Sequence, residues 1–264
     1  SIKAISQKDV IAFFDKYYRP NNAFLVLTGN LNLTTATKKV SHYLNTWQKK
    51  DIEHLPLPSP EPNAEEKVCF IELPQAKDCT IYLGNTILPA ASPDFFPFLV
   101  LNQFLGGTPN SRLFMNLRES KGYAYFAFSE VEFYKSCGLF LAKAKVAPKT
   151  AYVSIQEILK EIRNVTKEKI STLEVEQAKS YLIGNFPLQI EKVNDFCSKI
   201  SDIQTFNLGE EHWNRYYESV MLIDSEKVFE VAQRYPLLTP IIVIVGDRRV
   251  IVEELVDYEK VEVY

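Results

Sequence analysis

Proline stands at every second position from 56 to 62, in the run Leu-Pro-Leu-Pro-Ser-Pro-Glu-Pro. Proline has no backbone N–H and holds φ at about −65°, so neither a helix nor an inner strand can pass through this run. Alternating proline instead favours an extended polyproline conformation. The run therefore divides the chain into residues 1–48, a proline-rich linker over 49–64, and residues 65–264, which are long enough for one complete domain.

The segment before the linker has the pattern helix, strand, helix. Ser6 is a suitable N-cap, apolar residues follow it at helical spacing, and Pro20 ends the helix. The apolar run 23–27 predicts a buried strand, and residues 33–47 return to helical periodicity. The chain ends in the same order, with a helix, Tyr-Pro, an apolar run ending in Gly-Asp and a helical pattern. This repetition predicts that residues 1–48 are the tail of an upstream homologous domain.

The remaining patterns predict alternating pairs of strands and groups of helices. Strands are predicted over 68–73, 80–83, 124–133, 138–146 and 241–245, and helices over 93–105, 110–120, 150–164, 173–183, 193–206, 225–234 and 250–258. Strand pairs separated by runs of helices are typical of α+β folds rather than of doubly wound parallel sheets. We therefore expect a two-layer α/β sandwich, with a mostly antiparallel sheet covered on one face by helices.

Charge and hydropathy exclude two classes of partner. The chain has 30 basic and 33 acidic residues, a formal net charge of −3, so it lacks the basic surface of a nucleic-acid-binding protein. Its longest apolar stretch, Phe95–Leu101, contains Pro97 and is far shorter than the roughly 20 residues that span a bilayer. We expect a soluble protein, cytoplasmic or periplasmic if its source is bacterial. Its four cysteines are expected to be free thiols, a Cys69–Cys79 disulfide being the alternative.

The stretch from Leu105 to Tyr125 carries the side chains best suited to chemistry. It predicts a glycine turn, a helix with Arg118 near its end, a glycine cap at Gly122, and a strand that begins near Tyr125. Because the cap turns the strand back along the helix, the guanidinium and the phenol can converge. Both groups donate hydrogen bonds, which suits a site that binds a carbonyl or an oxyanion. The alternative is that Arg118 pairs with a nearby acid and Tyr125 only packs.

This stretch resembles the signature of the carboxy-terminal half of pitrilysin/insulinase-type zinc metallopeptidases, the inverzincins that include the mitochondrial processing peptidase. The resemblance runs through nearly the whole chain. It includes residues 17–23 (Tyr-Tyr-Arg-Pro-Asn-Asn-Ala), Pro74-Gln75, 105–125, 173–179 and 228–247. In such proteins the arginine and tyrosine that match Arg118 and Tyr125 reach across to a catalytic half, where they hold the substrate backbone and stabilise the tetrahedral intermediate. Gly106, Gly107 and Thr108 become candidates for the substrate groove, the alternative being a turn that only ends the helix.

The family's zinc motif, His-x-x-Glu-His, is missing from this sequence. Its position corresponds to Phe98–Asn102, and none of the three histidines (His42, His54, His212) has another histidine four residues away. Two imidazoles on one helical face and a glutamate base are what that zinc site requires. We therefore expect no metal or other cofactor in this chain, with zinc bound by a partner that carries the motif, either fused or as a separate subunit.

Two hypotheses about function follow. The first is a non-catalytic, substrate-binding half of a bipartite zinc metalloendopeptidase, inactive alone, which acts on peptides or unfolded segments through Arg118 and Tyr125. The alternative is a structural scaffold that keeps the fold of such peptidases and has lost their activity, as in the core subunits of the respiratory cytochrome bc complex. A neighbouring coding sequence with His-x-x-Glu-His would favour the first, and its absence would favour the scaffold.

Overall fold

The structure, a computed structural model, describes residues 2–53, 56–57, 60–251 and the backbone of 261–263. The chain divides into two compact units. The first unit contains Ser1–Leu57 and Gln189–Thr205, and the second contains Pro58–Leu188 and Phe206–Tyr264. The boundary at residue 57 falls inside the predicted linker. Whether residues 1–48 are the tail of an upstream domain stays a prediction.

The second unit is built on a six-stranded sheet with the strand order β3-β4-β2-β5-β1-β6. The strands are β1 Lys67–Glu72, β2 Cys79–Ile87, β3 Ala124–Phe133, β4 Gly138–Val146, β5 Ile241–Gly246 and β6 Val261–Val263. The pairs β2–β4, β2–β5 and β3–β4 are antiparallel, whereas β1 runs parallel to both β5 and β6. The sheet is therefore mixed and mostly antiparallel, as the order of elements predicted.

One face of the sheet is buried and the other is open. Along β4, for example, buried residues such as Phe140 and Ala142 alternate with half-exposed ones such as Leu141 and Lys143. This period of two is the mark of a sheet with one covered face. The covered face and the helices on it share a single apolar core around Phe70, Ile81, Leu83, Phe98, Ile155 and Ile244. The two-layer α+β architecture is confirmed.

The helices have the following bounds: α1 Gln7–Tyr17, α2 Leu33–Leu44, α3 Phe95–Leu105, α4 Arg112–Phe114 with a π-helical continuation over Met115–Ser120, α5 Ala151–Lys167, α6 Thr172–Gln189, α7 Val193–Phe206, α8 Tyr216–Met221, α9 Ser225–Arg234 and α10 Arg248–Ile251. Helix α3 is apolar on all sides and nearly every residue in it is buried, because it packs against both β3 and α9. In the described part of the chain, no helix combines the length and the apolar character needed to cross a membrane.

Several sequence predictions need correction or lie outside the described residues. The predicted strand over 23–27 is wrong, because this segment pairs with no strand in the described chain and Phe24, Leu25 and Leu27 are exposed. A strand requires a neighbour to bond with, and the first unit offers none among its described residues. Helix α8 was not predicted.

His54 and most of the predicted helix over 250–258 lie outside the described residues. All four cysteines are free thiols.

Candidate functional site

The glycine turn lies directly against β3. The Ser129 backbone N–H donates to the Gly106 carbonyl at 2.9 Å. The turn thus occupies a position on the edge of β3 where a further strand would otherwise bond. A Cβ at Gly106 would lie 2.3 Å from the Ser129 backbone nitrogen, and only glycine fits there. At Gly107 a Cβ would lie 2.8 Å from the Gln103 Cα. The two glycines therefore allow a close approach of backbone to strand and to helix.

Arg118 belongs to a π-helical turn that ends at a glycine. The Lys121 N–H donates to the Asn116 carbonyl at 3.0 Å, a bond across five residues that widens the helix. Gly122 has φ of +65°, which allows its N–H to bond to the Arg118 carbonyl and the Tyr123 N–H to bond to the Leu117 carbonyl at 2.8 Å. Single π-helical turns occur often at functional sites. This turn and cap redirect the chain from α4 into β3.

The Arg118 side chain rests on an aromatic ring. Its guanidinium carbon lies 4.8 Å from the centre of the Phe114 ring, one helical turn earlier in the chain. Phe114 is buried and contacts Phe128 of β3, with 5.2 Å between ring centres. The Arg118 Nε also lies 3.8 Å from the Glu119 carboxylate, a weak pair at the solvent surface, and half of the Arg118 side chain stays exposed. Phe114 therefore limits where the guanidinium can lie and leaves its donors accessible.

Tyr125 occupies an irregular position near the start of β3. The pairing of β3 with β4 skips from Ala124 to Phe126, which leaves Tyr125 as the extra residue of a β-bulge. Tyr125 is 63% exposed. Lys145 lies close to Tyr125 and donates a hydrogen bond of 2.9 Å to Asp78. This hydrogen bond raises the pKa of Lys145 above its ordinary value, and the nearby Tyr125 phenol raises it slightly further. The bulge thus presents the phenol to solvent beside a lysine and a carboxylate.

Ion pairs join the segment that carries Arg118 to α5 and α6. Arg112 binds Glu174 of α6 through two hydrogen bonds of 2.6 and 2.8 Å, and the bond from Arg112 lowers the pKa of Glu174. The Asn116 amide donates to Glu157 of α5 at 3.0 Å, and Lys121 lies 3.2 Å from the same carboxylate. Although burial disfavours the charged form of Glu157, these partners outweigh it and lower its pKa.

The predicted residues do not form one contact group. Arg118 lies before the Gly122 cap, in the π-helical segment, and Tyr125 lies after it, near the start of β3; both are exposed. Gly106 bonds to Ser129, four residues further along the strand, a separation of about 13 Å at the usual rise per residue. The glycine turn, which Thr108 follows, therefore contacts a different stretch of β3 from Tyr125.

Two of the three histidines lie within the described residues. His42 is on α2 in the first unit, and the His212 ring stacks on the Phe96 ring at 5.0 Å between centres, in the second unit. Among the residues that the structure describes, no group of three or more His, Cys, Asp and Glu side chains is placed to hold a metal ion. The sequence itself lacks the His-x-x-Glu-His motif that a zinc site of the family's type requires.

Two residues near the candidate site were given no role there by the sequence. Phe114 lies four residues before Arg118, a spacing that places two side chains on the same face of a helix, so the signal was present. Gln103 is, with Asn102, one of two buried polar residues in the apolar helix α3, and its surroundings come from α6 and the glycine turn. No local pattern indicates that position.

Comparison with known sequences identifies relatives along most of the chain. The sequence profile described as "Peptidase M16 inactive domain" matches residues 4–182. A Bacillus subtilis protein with the name "Uncharacterized zinc protease YmxG" is 26% identical over 187 residues, which are 71% of this chain and 44% of that protein. A Helicobacter pylori protein named "Non-peptidase homolog YmxG" is 24% identical over 195 residues, which are 74% of this chain and 44% of that protein. The chain thus spans less than half the length of these relatives.

Solved structures share the fold. The peptidase M16 inactive domain from Pseudomonas fluorescens superposes with a TM-score of 0.84 at 19% identity, covering 94% of this chain and 58% of that one. A protease from Helicobacter pylori superposes with a TM-score of 0.82 at 20% identity, covering 93% of this chain and 60% of that one. These TM-scores establish a common fold. Together with the profile match over more than half of the sequence, they confirm the resemblance first drawn from Leu105–Tyr125, and the chain belongs to the family of peptidase M16 inactive domains.

Proposed function

We propose that this chain is the substrate-binding, non-catalytic half of a bipartite zinc metalloendopeptidase. The observation that carries the proposal is the placement of Arg118, whose guanidinium is held on the buried Phe114 ring while half of the side chain remains exposed. Tyr125 offers a second exposed donor at the start of the neighbouring strand. Two accessible donors suit a group that develops negative charge on oxygen.

The two side chains have complementary roles in this proposal. The Arg118 guanidinium presents a planar set of N–H donors that can bind a peptide carbonyl or a carboxylate at two points. The Tyr125 hydroxyl donates one further hydrogen bond to the same region of the substrate backbone. Because neither side chain is a base or a nucleophile at neutral pH, their contribution is to position the peptide and to stabilise the oxyanion of the tetrahedral intermediate.

The reacting centre belongs to a partner in this proposal. A domain or subunit with the His-x-x-Glu-His motif would supply the zinc ion, whose chemistry is to activate a water molecule, together with the general base. The relatives named as zinc proteases are more than twice as long as the matched region, which leaves room for such a domain within one polypeptide. A separate subunit meets the same requirement. The substrate class is a peptide or an unfolded segment.

The test is hydrolysis of a peptide by this chain combined with its cognate catalytic half. We expect Arg118→Ala and Tyr125→Phe each to lower kcat/KM by about 10² to 10³, the usual cost of removing one donor to an oxyanion. Arg163→Ala and Tyr217→Phe are matched controls, because both residues are exposed and lie far along the chain from the site. Full activity in both site variants would refute the proposed roles.

The scaffold alternative is favoured by one observation, the name "Non-peptidase homolog YmxG" of the Helicobacter pylori relative. It predicts that the assembled halves form a stable complex and hydrolyse no peptide. The hydrolysis experiment therefore separates the two proposals, because wild-type assembly without any peptide cleavage supports the scaffold.

A further inference from the structure

Asn116 and Lys121 stand at the two ends of the π-helical turn that carries Arg118. The Lys121 backbone N–H donates to the Asn116 carbonyl at 3.0 Å, and this is the bond across five residues that defines the turn. Such turns are rare in proteins, so contacts that maintain this one are of interest. An α-helical bond in its place would shorten the turn by one residue and rotate Arg118 about the helix axis.

The side chains of the same two residues bind one carboxylate, that of Glu157 on α5. The Asn116 Nδ2 donates to the Glu157 Oε2 at 3.0 Å, and the Lys121 Nζ lies 3.2 Å from the Glu157 Oε1. The Asn116 amide also donates to Glu161 at 2.6 Å, and the Lys160 Nζ lies 3.7 Å from the Glu157 Oε2. Each oxygen of Glu157 therefore holds one end of the turn, and the two contacts together form a clamp on it.

Glu157 belongs to a part of the second unit that is firmly packed. Its side chain is 17% exposed, and Ile155, Ile158 and Ile162 of the same helix are each at most 1% exposed. Hydrogen bonds to a charged group are stronger than those between neutral groups. Partial burial also reduces the screening of the charges by water and salt. The clamp therefore fastens the turn to a helix that is anchored in the core.

We propose that Glu157 is a positioning residue for Arg118. It holds the π-helical turn in the conformation that places the guanidinium on the Phe114 ring, 4.8 Å from the ring centre. Arg118 lies between the two clamped ends of the turn, so a change in the turn moves its side chain. Glu157 itself does not touch the substrate in this proposal and acts only through Arg118.

This inference deepens the proposed function and rests on it for the effect on hydrolysis. The clamp itself is a property of this chain, so the chain alone can be used to test it. Two kinds of measurement are therefore needed, one on the isolated chain and one on the assembled halves. The first decides whether the clamp orients Arg118, and the second decides whether that orientation matters for the reaction.

The first experiment is NMR of the isotope-labelled full chain, comparing wild type with Glu157→Ala. We expect the Lys121 amide to exchange with solvent at least about tenfold faster in the variant, the effect of losing one charged hydrogen bond. We also expect the Arg118 side-chain signals to move, because the ring current of Phe114 acts on them only at short range.

Two further variants make the comparison specific. Glu157→Gln keeps an acceptor for the Asn116 amide and loses the charge that pairs with Lys121, so its effect on both readouts should be intermediate. Glu218→Ala removes an exposed glutamate from α8, outside the clamp, and should leave both readouts as in the wild type.

The second experiment is peptide hydrolysis by the assembled halves. We expect Glu157→Ala to lower kcat/KM about tenfold, less than the removal of Arg118 itself, because the guanidinium is displaced rather than lost. In an Arg118→Ala background the same substitution should have no further effect on kcat/KM.

Unchanged exchange of the Lys121 amide in Glu157→Ala would refute the clamp, and unchanged Arg118 signals would refute the positioning role even if exchange became faster. An equal fall of kcat/KM with and without Arg118 would show that Glu157 acts through stability alone. If Glu157→Ala does not fold, Lys121→Met removes the same ion pair from the turn and carries the same expectations. A wild-type assembly that cleaves no peptide would refute the proposed function, while the NMR comparison would still decide whether the clamp orients Arg118.

Discussion

At the scale of single residues, the position of Arg118 depends on one aromatic neighbour. A cation over an aromatic face contributes about 0.5 to 1 kcal/mol at a partly exposed site. That is enough to favour one placement of a long, flexible side chain over the alternatives. Phe114 is itself fixed, because it is buried and packs against Phe128. The accessible guanidinium is therefore oriented by a residue that does not reach the solvent.

Phe114→Leu tests whether this contact positions Arg118. Leucine fills most of the same volume, so we expect a loss of stability below about 1.5 kcal/mol. We expect hydrolysis by the assembled halves to fall in the wild-type background, because the guanidinium loses its aromatic support. In an Arg118→Ala background the same substitution should have no further effect on kcat/KM, as a double-mutant cycle would measure. Additive effects in that cycle would show that Phe114 acts only through packing.

At the scale of elements, Gly106 and Gly122 are required for different physical reasons. Gly106 is needed for space, because a Cβ would lie 2.3 Å from the Ser129 nitrogen. Gly122 is needed for its backbone conformation, with φ of +65°, and a Cβ there would meet nothing within 4 Å. The first fixes the turn against β3 and the second ends the π-helical segment. Both set the direction of the chain around the candidate site.

The two glycines should therefore respond differently to alanine. We expect Gly122→Ala to destabilise by about 1 kcal/mol, the cost of a left-handed conformation for an L-residue. Gly106→Ala should cost about 3 kcal/mol, since backbone or strand must shift to admit the methyl group. Urea unfolding followed by circular dichroism measures both. Equal losses of stability would contradict the distinction.

At the scale of the whole molecule, buried charge connects elements that are distant in sequence. Asp94, just before α3, accepts hydrogen bonds from Arg234 and from the Tyr235 hydroxyl, the latter at 3.1 Å, and lies 3.4 Å from Lys227. These partners join the start of α3 to both ends of α9 within the second unit. Burial disfavours the Asp94 carboxylate, but the hydrogen bonds and nearby positive charges outweigh it and lower its pKa.

Asp94→Asn should lower the free energy of unfolding by about 2 kcal/mol at pH 7, because a charged acceptor is lost from a buried network. A carboxyl whose pKa is lowered by folding contributes stability above its unfolded pKa of about 3.9, and the contribution is lost as the pH falls through the folded pKa. The difference between wild type and variant should therefore shrink below about pH 4. Urea titrations at several pH values measure it, and a constant difference would refute the assignment.

Much of the secondary structure was predictable because its periodic patterns are strong. The bounds of β3, β4, α7 and α9 are those expected from alternation and capping. The segment 23–27 has the same apolar character as a buried strand, yet nothing in the described chain pairs with it. Phe13, Phe14 and Leu25 are likewise exposed. A sequence pattern shows the tendency of a segment to form a strand, whereas strand pairing also requires a partner strand.

The sequence by itself determined the α+β class and the lack of the His-x-x-Glu-His motif, and it predicted the proline linker and the Arg118 and Tyr125 pair. Only the tertiary structure decided that β1 pairs in parallel with β5, that Phe114 supports Arg118 on a π-helical turn, and that Gln103 faces α6 and the glycine turn. The physical reason is separation along the chain. Local patterns record propensity and burial, whereas these contacts join segments brought together only by burial of a common core.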